Sequence, residues 1–147
     1  TIRKASRRGY RGITKTPSTF SGQSHSAATL TVQQTNVSMS GVRGFDLMAG
    51  LTSIEESAIS HSGQEGILVS PGAKATVALS QLIFNTGAGL SVSGAGAEAR
   101  ISRSLVISNG VGLSNVSGVL ESTGKNVVRG NGNSNLNVGT ITAAGRQ

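Results

Sequence analysis

Apolar residues recur along this chain at intervals of 22 or 23 residues. The longest series consists of Phe45, Ile67, Leu90, Leu113 and Leu136. A glycine precedes each of the first four members, and most members are followed two residues later by another apolar residue. Apolar residues at every second position are typical of a strand with one buried face. A repeat period in the twenties is typical of a solenoid, in which each repeat covers the apolar face of its neighbour.

Two further series complete the repeat. The second inward column is predicted to contain Val32, Ile54, Val77 and Ile101. The third begins with Val37 and Ile59 and ends with Val128. Its middle is open between Leu82 and Ile83 and between Val106 and Ile107, because a slip of one residue reverses which side chains face inward. Two residues after the first series lie its apolar companions, Leu47, Val69, Val92 and Val138. Asn115 interrupts them two residues after Leu113, and we expect Val116 to replace it through a one-residue shift.

Three short strands and three turns in each repeat of 22–24 residues predict an all-β fold, a parallel β-helix of about five coils. The glycines that precede the first strand of each repeat suggest a backbone conformation open mainly to glycine. Asparagines recur in one turn, where side-chain amides of successive coils can hydrogen-bond to each other. We expect Asn85 and Asn109 to form the centre of such a ladder.

Three stretches resemble the right-handed parallel β-helix repeat proteins, whose fold is shared with pectate lyases. They are Ile59-Ser-His-Ser-Gly-Gln-Glu-Gly-Ile67, Ile107-Ser-Asn-Gly-Val-Gly-Leu113 and Gly124-Lys-Asn-Val-Val-Arg-Gly-Asn-Gly132. The last of these is similar to the closing coil of short bacterial members, which are often exported. The resemblance covers about residues 28–140. It implies a right-handed coil, a bacterial source and an extracellular or periplasmic location, and it is specific for fold rather than activity.

Charge and composition divide the chain into three parts. Residues 1–27 are predicted to form a basic arm and connector or a cap, residues 28–138 the β-helix, and residues 139–147 a tail or lid. The net charge of +7 arises at the start, where six cations precede the first acid, Asp46. These candidate polyanion contacts are Arg3, Lys4, Arg7, Arg8, Arg11 and Lys15. An aromatic content of 3% suits a narrow stacked interior, and no apolar run is long enough to span a membrane.

The titratable residues do not form a recognisable catalytic or metal-binding pattern. Glycoside hydrolysis usually needs two carboxylates in one groove, and calcium binds six to eight oxygens. Glu55 and Glu56 are adjacent, so in a strand they are expected to point to opposite faces. Three other acids are expected to be solvated charges near turns: Glu65, Glu98 and Glu121. His61 is expected either inside the coil between Met39 and Phe84 or in the asparagine ladder. We therefore predict no catalytic, cofactor or metal site.

The leading functional hypothesis is a non-catalytic structural or binding module that is exported. Its partner would be a polysaccharide or another protein. The alternatives are a polysaccharide lyase or hydrolase on the pectate-lyase-like fold, and a polyanion-binding protein that acts through the basic arm. Unpaired strands at the ends of a β-helix can also pair with another chain, which allows end-to-end self-association. We expect residues 13–20 to cap the first coil against this.

Overall fold

The computed structural model describes the backbone of residues 23–25, 29–132 and 134–143, and the side chains of residues 29–132 and 139–143. Fifteen strands form a parallel β-solenoid of about five turns, and the described residues contain no helix. All strand pairs run parallel, each strand pairing with its equivalent one coil along. The six arm cations and the expected cap, residues 13–20, lie outside the described residues.

The strands stack in three faces. The first face contains β1 (Gln23–His25), β4 (Phe45–Leu47), β7 (Ile67–Val69), the beginnings of β10 (Ala88–Ser102) and β12 (Val111–Ser122), and β14 (Ser134–Val138). The second contains β2 (Thr29–Gln33), β5 (Gly50–Glu55), β8 (Ala73–Ala78), the ends of β10 and β12, and β15 (Ile141–Ala143). The third is a separate sheet of β3 (Asn36–Ser38), β6 (Ala58–Ser60), β9 (Gln81–Ile83), β11 (Leu105–Ile107) and β13 (Val127–Arg129).

Two strands lie within the terminal segments that the sequence sets apart. β1 belongs to the predicted arm and connector or cap, and it pairs with β4. β15 belongs to the predicted tail or lid, and it pairs with the end of β12. Ile141 in β15 is partly buried and packs against the core. The stacking of coils therefore includes parts of both terminal segments.

The predicted inward columns form the core. The described members of the first and second columns are buried, and most have no exposed surface. The third column is resolved in favour of Leu82 and Val106, which are fully buried, whereas Ile83 and Ile107 point outward. Burial of these aliphatic side chains provides the main driving force for folding, at about 25 cal/mol for each Å² of apolar surface.

Two details of the predicted first series are wrong. Asn115 keeps the inward position opposite Val92, and its amide donates to the carbonyls of Gly118 and Thr140 at 3.2 and 2.7 Å. Those bonds use the two N–H donors of the amide, whereas its buried Oδ1 accepts no hydrogen bond from another described residue. The shift to Val116 does not occur, and Val116 remains 64% exposed. In the last coil a register shift places Asn137, rather than Leu136, opposite Leu113.

The glycines that precede the first face are required for a different reason from the predicted one. Gly44, Gly66 and Gly89 do not have positive φ. A Cβ atom on Gly66 would instead lie 2.7 Å from the carbonyl oxygen of Gly89 and 2.8 Å from Nδ2 of Asn85. A Cβ atom on Gly44 would lie 2.5 Å from the oxygen of Gly66. Close approach of the next coil therefore excludes any larger residue here.

The expected amide ladder is present at the corner between the third and first faces. Asn109 accepts a hydrogen bond from the backbone N–H of Asn85 at 3.0 Å and donates to the carbonyl of Leu82 at 2.8 Å. Asn131 binds Asn109 in the same way, since its Oδ1 accepts the backbone N–H of Asn109 at 2.9 Å. Each buried amide thus binds two backbone groups of the preceding coil, and Asn109 also bonds the amides of both Asn85 and Asn131. This arrangement fixes the register between coils.

A second ladder, which we did not predict from the sequence, runs along the corner between the second and third faces. Ser80 Oγ accepts the N–H of Ser57 at 3.2 Å and donates to the carbonyl of Ala78 at 2.7 Å. Ser104 repeats both contacts one coil later, and Asn126 accepts the N–H of Ser104 at 2.9 Å. A seryl hydroxyl is small enough to bond its own coil and the coil before it.

We expect Gly66→Ala to lower the free energy of unfolding by about 2 kcal/mol or more, because overpacking against backbone atoms cannot relax easily. Gly41→Ala is the matched control, since Gly41 lacks positive φ and has no neighbouring atom within 4 Å of the added carbon. The control should be neutral or slightly stabilising. Urea unfolding followed by circular dichroism measures both. Equal stabilities would contradict the proposed role of close packing.

Candidate interaction surface

Two columns of left-handed residues border the third face. The column before it, which we name the upstream corner, consists of Gln34, Glu56, Leu79, Arg103 and Lys125, with φ between 46° and 57°. The column after it, the downstream corner, consists of Met39, His61, Phe84, Ser108 and Gly130, with φ between 54° and 64°. In the first four residues of the upstream corner and the first three of the downstream corner, the backbone N–H donates to a carbonyl of the next coil, as Leu79 does to Ser102 at 3.2 Å. The fold therefore imposes this conformation.

The left-handed conformation also turns the side chains outward. His61 is exposed at the downstream corner and stacks on Phe84, with ring centroids 5.2 Å apart and planes at 25°. Its column neighbours are Met39 and Phe84, as expected, but both predicted buried positions for His61 are wrong. A left-handed residue interrupts strand alternation, so His61 points into solvent between the buried residues Ser60 and Ser62.

The choice of residues at these corners is locally unfavourable. Met39, Leu79 and Phe84 are 68%, 50% and 51% exposed, and all three have positive φ. The left-handed conformation costs a residue with Cβ about 1–2 kcal/mol, with asparagine and glycine better suited to it. Bulky apolar side chains therefore combine backbone strain with exposure to water. Residues that violate local stability rules in this way concentrate at functional sites.

These residues continue across the third face as one surface. Ile83 lies beside Ile107, and Leu105 lies beside Val127, in adjacent parallel strands. We call the following set the apolar patch: Leu79, Ile83, Phe84, Leu105, Ile107 and Val127. On the second face, by contrast, exposed Leu51 and Val119 are separated in their column by Lys74 and Glu98. Gln81, beside Leu105, is the polar residue within this set. Clustered exposed apolar side chains of this kind mark interaction sites.

Leu79 and Phe84 were not identified as surface residues from the sequence. A signal was present at the upstream corner, since the other four residues in that column are polar or charged: Gln34, Glu56, Arg103 and Lys125. A column of such residues after each second-face strand indicates an outward position. Leu79 is then the exception that requires explanation.

In the upstream corner, an acidic residue precedes Leu79 and two basic residues follow it. Glu56 accepts a hydrogen bond from Gln34 at 3.0 Å. Arg103 and Lys125, two and three coils further, form no ion pair with another described residue. The corner thus changes from acidic to basic along the solenoid, with Leu79 between the two parts.

Each of the six Asp and Glu side chains accepts a hydrogen bond from another side chain. Arg43 binds Glu65 at 2.8 Å and Asp46 at 3.3 Å. On the second face, Lys74 binds Glu98 at 2.9 Å and Arg100 binds Glu121 at 2.5 Å. The expectation that these glutamates are solvated charges near turns is wrong for the last two, which lie in strands and pair with the neighbouring coil.

Glu55 and Glu56 do not point to opposite faces as expected. Glu55 points out from the second face and accepts hydrogen bonds from Gln33 and Ser53, both at 3.2 Å. Glu56 also points outward because its φ is 48°. Glu55 therefore lies on the second face next to the upstream corner, whereas Glu56 belongs to that corner, and each accepts hydrogen bonds from its own side-chain donors.

Other concave and titratable features are modest. A shallow groove of about 360 Å³ is lined by Thr29, Gly50, Leu51, Gly72 and Lys74. Its single charged group, Lys74, is paired with Glu98. Within residues 29–132 and 139–143, no three His, Asp or Glu side chains lie close enough together to hold a metal ion. No helix in the described part of the chain is long and apolar enough to cross a membrane.

No family model matches this chain, and no curated protein or solved structure matches it. The predicted polyanion contacts all lie outside the described residues. The third face and its two corners are therefore the surface on which the described residues support a functional argument.

We expect the double variant Leu79→Asn, Phe84→Asn to fold and to melt at the same temperature as the parent or higher. Asparagine tolerates positive φ better, which offsets lost apolar contact by about 1 kcal/mol at each site. The variant should also lose most of the fluorescence of the apolar dye ANS in dilute protein. Thermal unfolding and dye titration measure these effects.

Leu51→Asn is the matched control, because Leu51 is exposed on the second face and has no positive φ. It should keep the dye signal and gain no stability. A double variant that unfolds would show that these side chains are structural. One that binds the dye as the parent does would show that Leu79 and Phe84 do not form the exposed apolar surface.

Proposed function

We propose that this chain is a non-catalytic β-solenoid module that binds another protein through its third face. The observation that carries this proposal is the presence of large apolar side chains at exposed, left-handed positions. The fold requires the left-handed backbone there but does not require leucine or phenylalanine. Binding another apolar surface would compensate for their exposure, because burial of apolar surface drives most protein association.

Aliphatic character favours a protein over a polysaccharide as the partner. Carbohydrate platforms present aromatic rings, whereas Phe84 is the single exposed phenylalanine among the described residues and Phe45 is buried. The apolar patch consists otherwise of leucine, isoleucine and valine. Such side chains suit a complementary protein surface with a polar rim, which the corner charges provide.

Export from a bacterial cell and membership of the pectate-lyase-like superfamily are part of the same proposal. They are supported by the resemblance of three stretches of the sequence to short right-handed β-helix proteins, together with the parallel solenoid itself. The proposed module would share the fold of the enzymes without their chemistry.

The pairing of the carboxylates supports a non-catalytic role. Asp46 and Glu65 share Arg43, and two glutamates of the second face bind cations of adjacent coils. A hydrolase would place two carboxylates across one groove, about 5–10 Å apart and free to bind substrate or water. Glu55 and Glu56 are the remaining pair, and each accepts hydrogen bonds from different side chains.

Incubation with acidic and neutral polysaccharides, with and without calcium, should give no cleavage. Reducing-end and unsaturated-sugar assays measure hydrolysis and elimination separately. Glu98→Gln serves as a control, since Glu98 is already bound to Lys74. Turnover that falls in Glu55→Gln, Glu56→Gln or Arg103→Met, and not in the control, would establish an enzyme and overturn this proposal.

A second candidate function is polyanion binding by the basic arm. It is favoured by the concentration of six cations in the first fifteen residues, whereas the rest of the chain is nearly neutral. A segment of this charge can bind phosphate or sulfate groups through counterion release.

Deletion of residues 1–15 should then abolish retention on heparin and on DNA. Retention of the full chain should decline steeply with salt, because each phosphate contact contributes to the salt dependence. An Arg103→Gln, Arg129→Gln variant tests the cations of the solenoid separately. Unchanged retention after the deletion would remove the arm as the binding element.

A further inference from the structure

We propose that the partner of the third face is a second copy of the chain, bound by two-fold symmetry with the two solenoids antiparallel. This inference rests on the proposed function, because it uses the same apolar patch. The sheet itself suggests the symmetry. Its strand order is β13-β11-β9-β6-β3, so β9 is the middle of five strands. A two-fold axis parallel to β9 would stack the whole sheet on its copy.

The upstream corner is self-complementary about this axis. Leu79 occupies the central coil, immediately before β9. Glu56 lies one coil before it and Arg103 one coil after it, so each glutamate would face the arginine of the other copy. Gln34 and Lys125 would face each other in the same way at the outer coils. The symmetry thus creates two equivalent pairs of opposite charge from groups that form no ion pair within the described chain.

Side-chain size is also complementary across the proposed axis. The two outward columns hold small residues in β6, partly buried Ala58 and Ser60, which is only 8% exposed, whereas they hold Leu105 and Ile107 in β11. Antiparallel stacking places β6 of one copy against β11 of the other. Large side chains would therefore fill the space over small ones, as packing at native density requires.

The centre of the interface would be mainly apolar. Leu79 and Phe84 flank β9 on either side, and the outward residues of β9 between them are exposed Gln81 and partly buried Ile83. Each would approach its own copy near the two-fold axis. The downstream corner contributes Phe84 at its middle coil, with exposed His61 and Ser108 on either side. Polar groups therefore surround an apolar centre, the usual anatomy of a protein interface.

The size of the face sets the expected strength. Five strands at about 4.8 Å spacing and a width of six residues at about 3.3 Å give a flat area of roughly 400 Å² per copy. Two copies give roughly 800 Å² before the relief of the side chains is counted, which is below the roughly 1,200 Å² where stable specific interfaces begin and within the range of weak, transient ones. We therefore expect a weak, reversible dimer that responds to concentration.

Sedimentation velocity of the full chain over about a hundred-fold range of concentration tests this inference, since a weak dimer dissociates on dilution. Glu56→Arg and Arg103→Glu should each weaken the dimer at least about ten-fold, because each single variant creates two like-charge contacts. An equimolar mixture of the two variants should restore association, since opposite charges then face each other at both contacts. Restoration in the mixture reports a contact between chains.

Matched controls make the same charge changes on the second face. Arg100→Glu and Glu98→Arg should dimerise as the parent does, apart from small losses of stability at the broken surface ion pairs. Thermal unfolding confirms that every variant is folded. The Leu79→Asn, Phe84→Asn variant should be monomeric at all concentrations.

Three results would overturn the inference: a parent chain that is monomeric throughout the range, a mixture that behaves as its separate components do, or association that continues beyond a dimer. A parallel two-fold arrangement is distinguished by the second result, because it places Glu56 opposite the downstream corner. If the dimer is not found but the dye still binds at Leu79 and Phe84, the proposed function is retained and the partner is a different protein. Loss of both would remove the third face as a binding surface.

Discussion

Close stacking of one coil on the next is the constraint from which the rest of this structure follows. At the corner before the first face, the neighbouring backbone approaches so closely that Gly44 and Gly66 have no space for a Cβ atom. The amide of Asn85 fills the adjacent space and binds two backbone groups of the preceding coil. Glycine and asparagine therefore act together. The absence of a side chain at the glycine leaves space for the asparagine amide, and the hydrogen bonds of that amide fix the register between coils.

The same stacking explains why the surface is organised in columns. Each outward residue lies about 4.8 Å from its equivalents in the neighbouring coils, so the chemistry of a face depends on which types follow one another. On the second face, cations and carboxylates alternate and neutralise each other, as Lys74 and Glu98 do. On the third face, apolar residues follow one another and the corner charges separate by sign. The second and third faces therefore have similar backbones but different surfaces: the charges of the second face are paired, whereas the third face exposes apolar side chains.

Left-handed corners connect the architecture to the proposed function. The fold needs positive φ at two positions in each coil, and most side chains tolerate this at a cost of about 1 kcal/mol. Where those positions hold Gln34 or Ser108, the residue choice has little consequence beyond solubility. Where they hold Leu79 and Phe84, the protein keeps apolar side chains in the least favourable setting available. Self-association through the third face would explain that cost and the order of charges at the upstream corner together.

The sequence by itself determined the repeat, the number of coils and the position of the amide ladder. Phe45, Ile67 and Leu90, like Asn85 and Asn109, occur at equivalent positions, and stacking of equivalent positions is a consequence of period alone. Orientation is different. The spacing could not decide between Leu82 and Ile83, because both are apolar and periodicity gives spacing rather than direction.

Only the tertiary structure decided which side chains leave the core. One left-handed residue reverses the alternation of a strand, which is why His61 and Glu56 point into solvent against expectation. The structure also showed why Gly66 must be glycine, since the distance to the next coil is a property of packing and is not written in the local pattern. The apolar patch emerged for the same reason: Leu79, Ile83 and Leu105 become neighbours only when separate coils lie side by side.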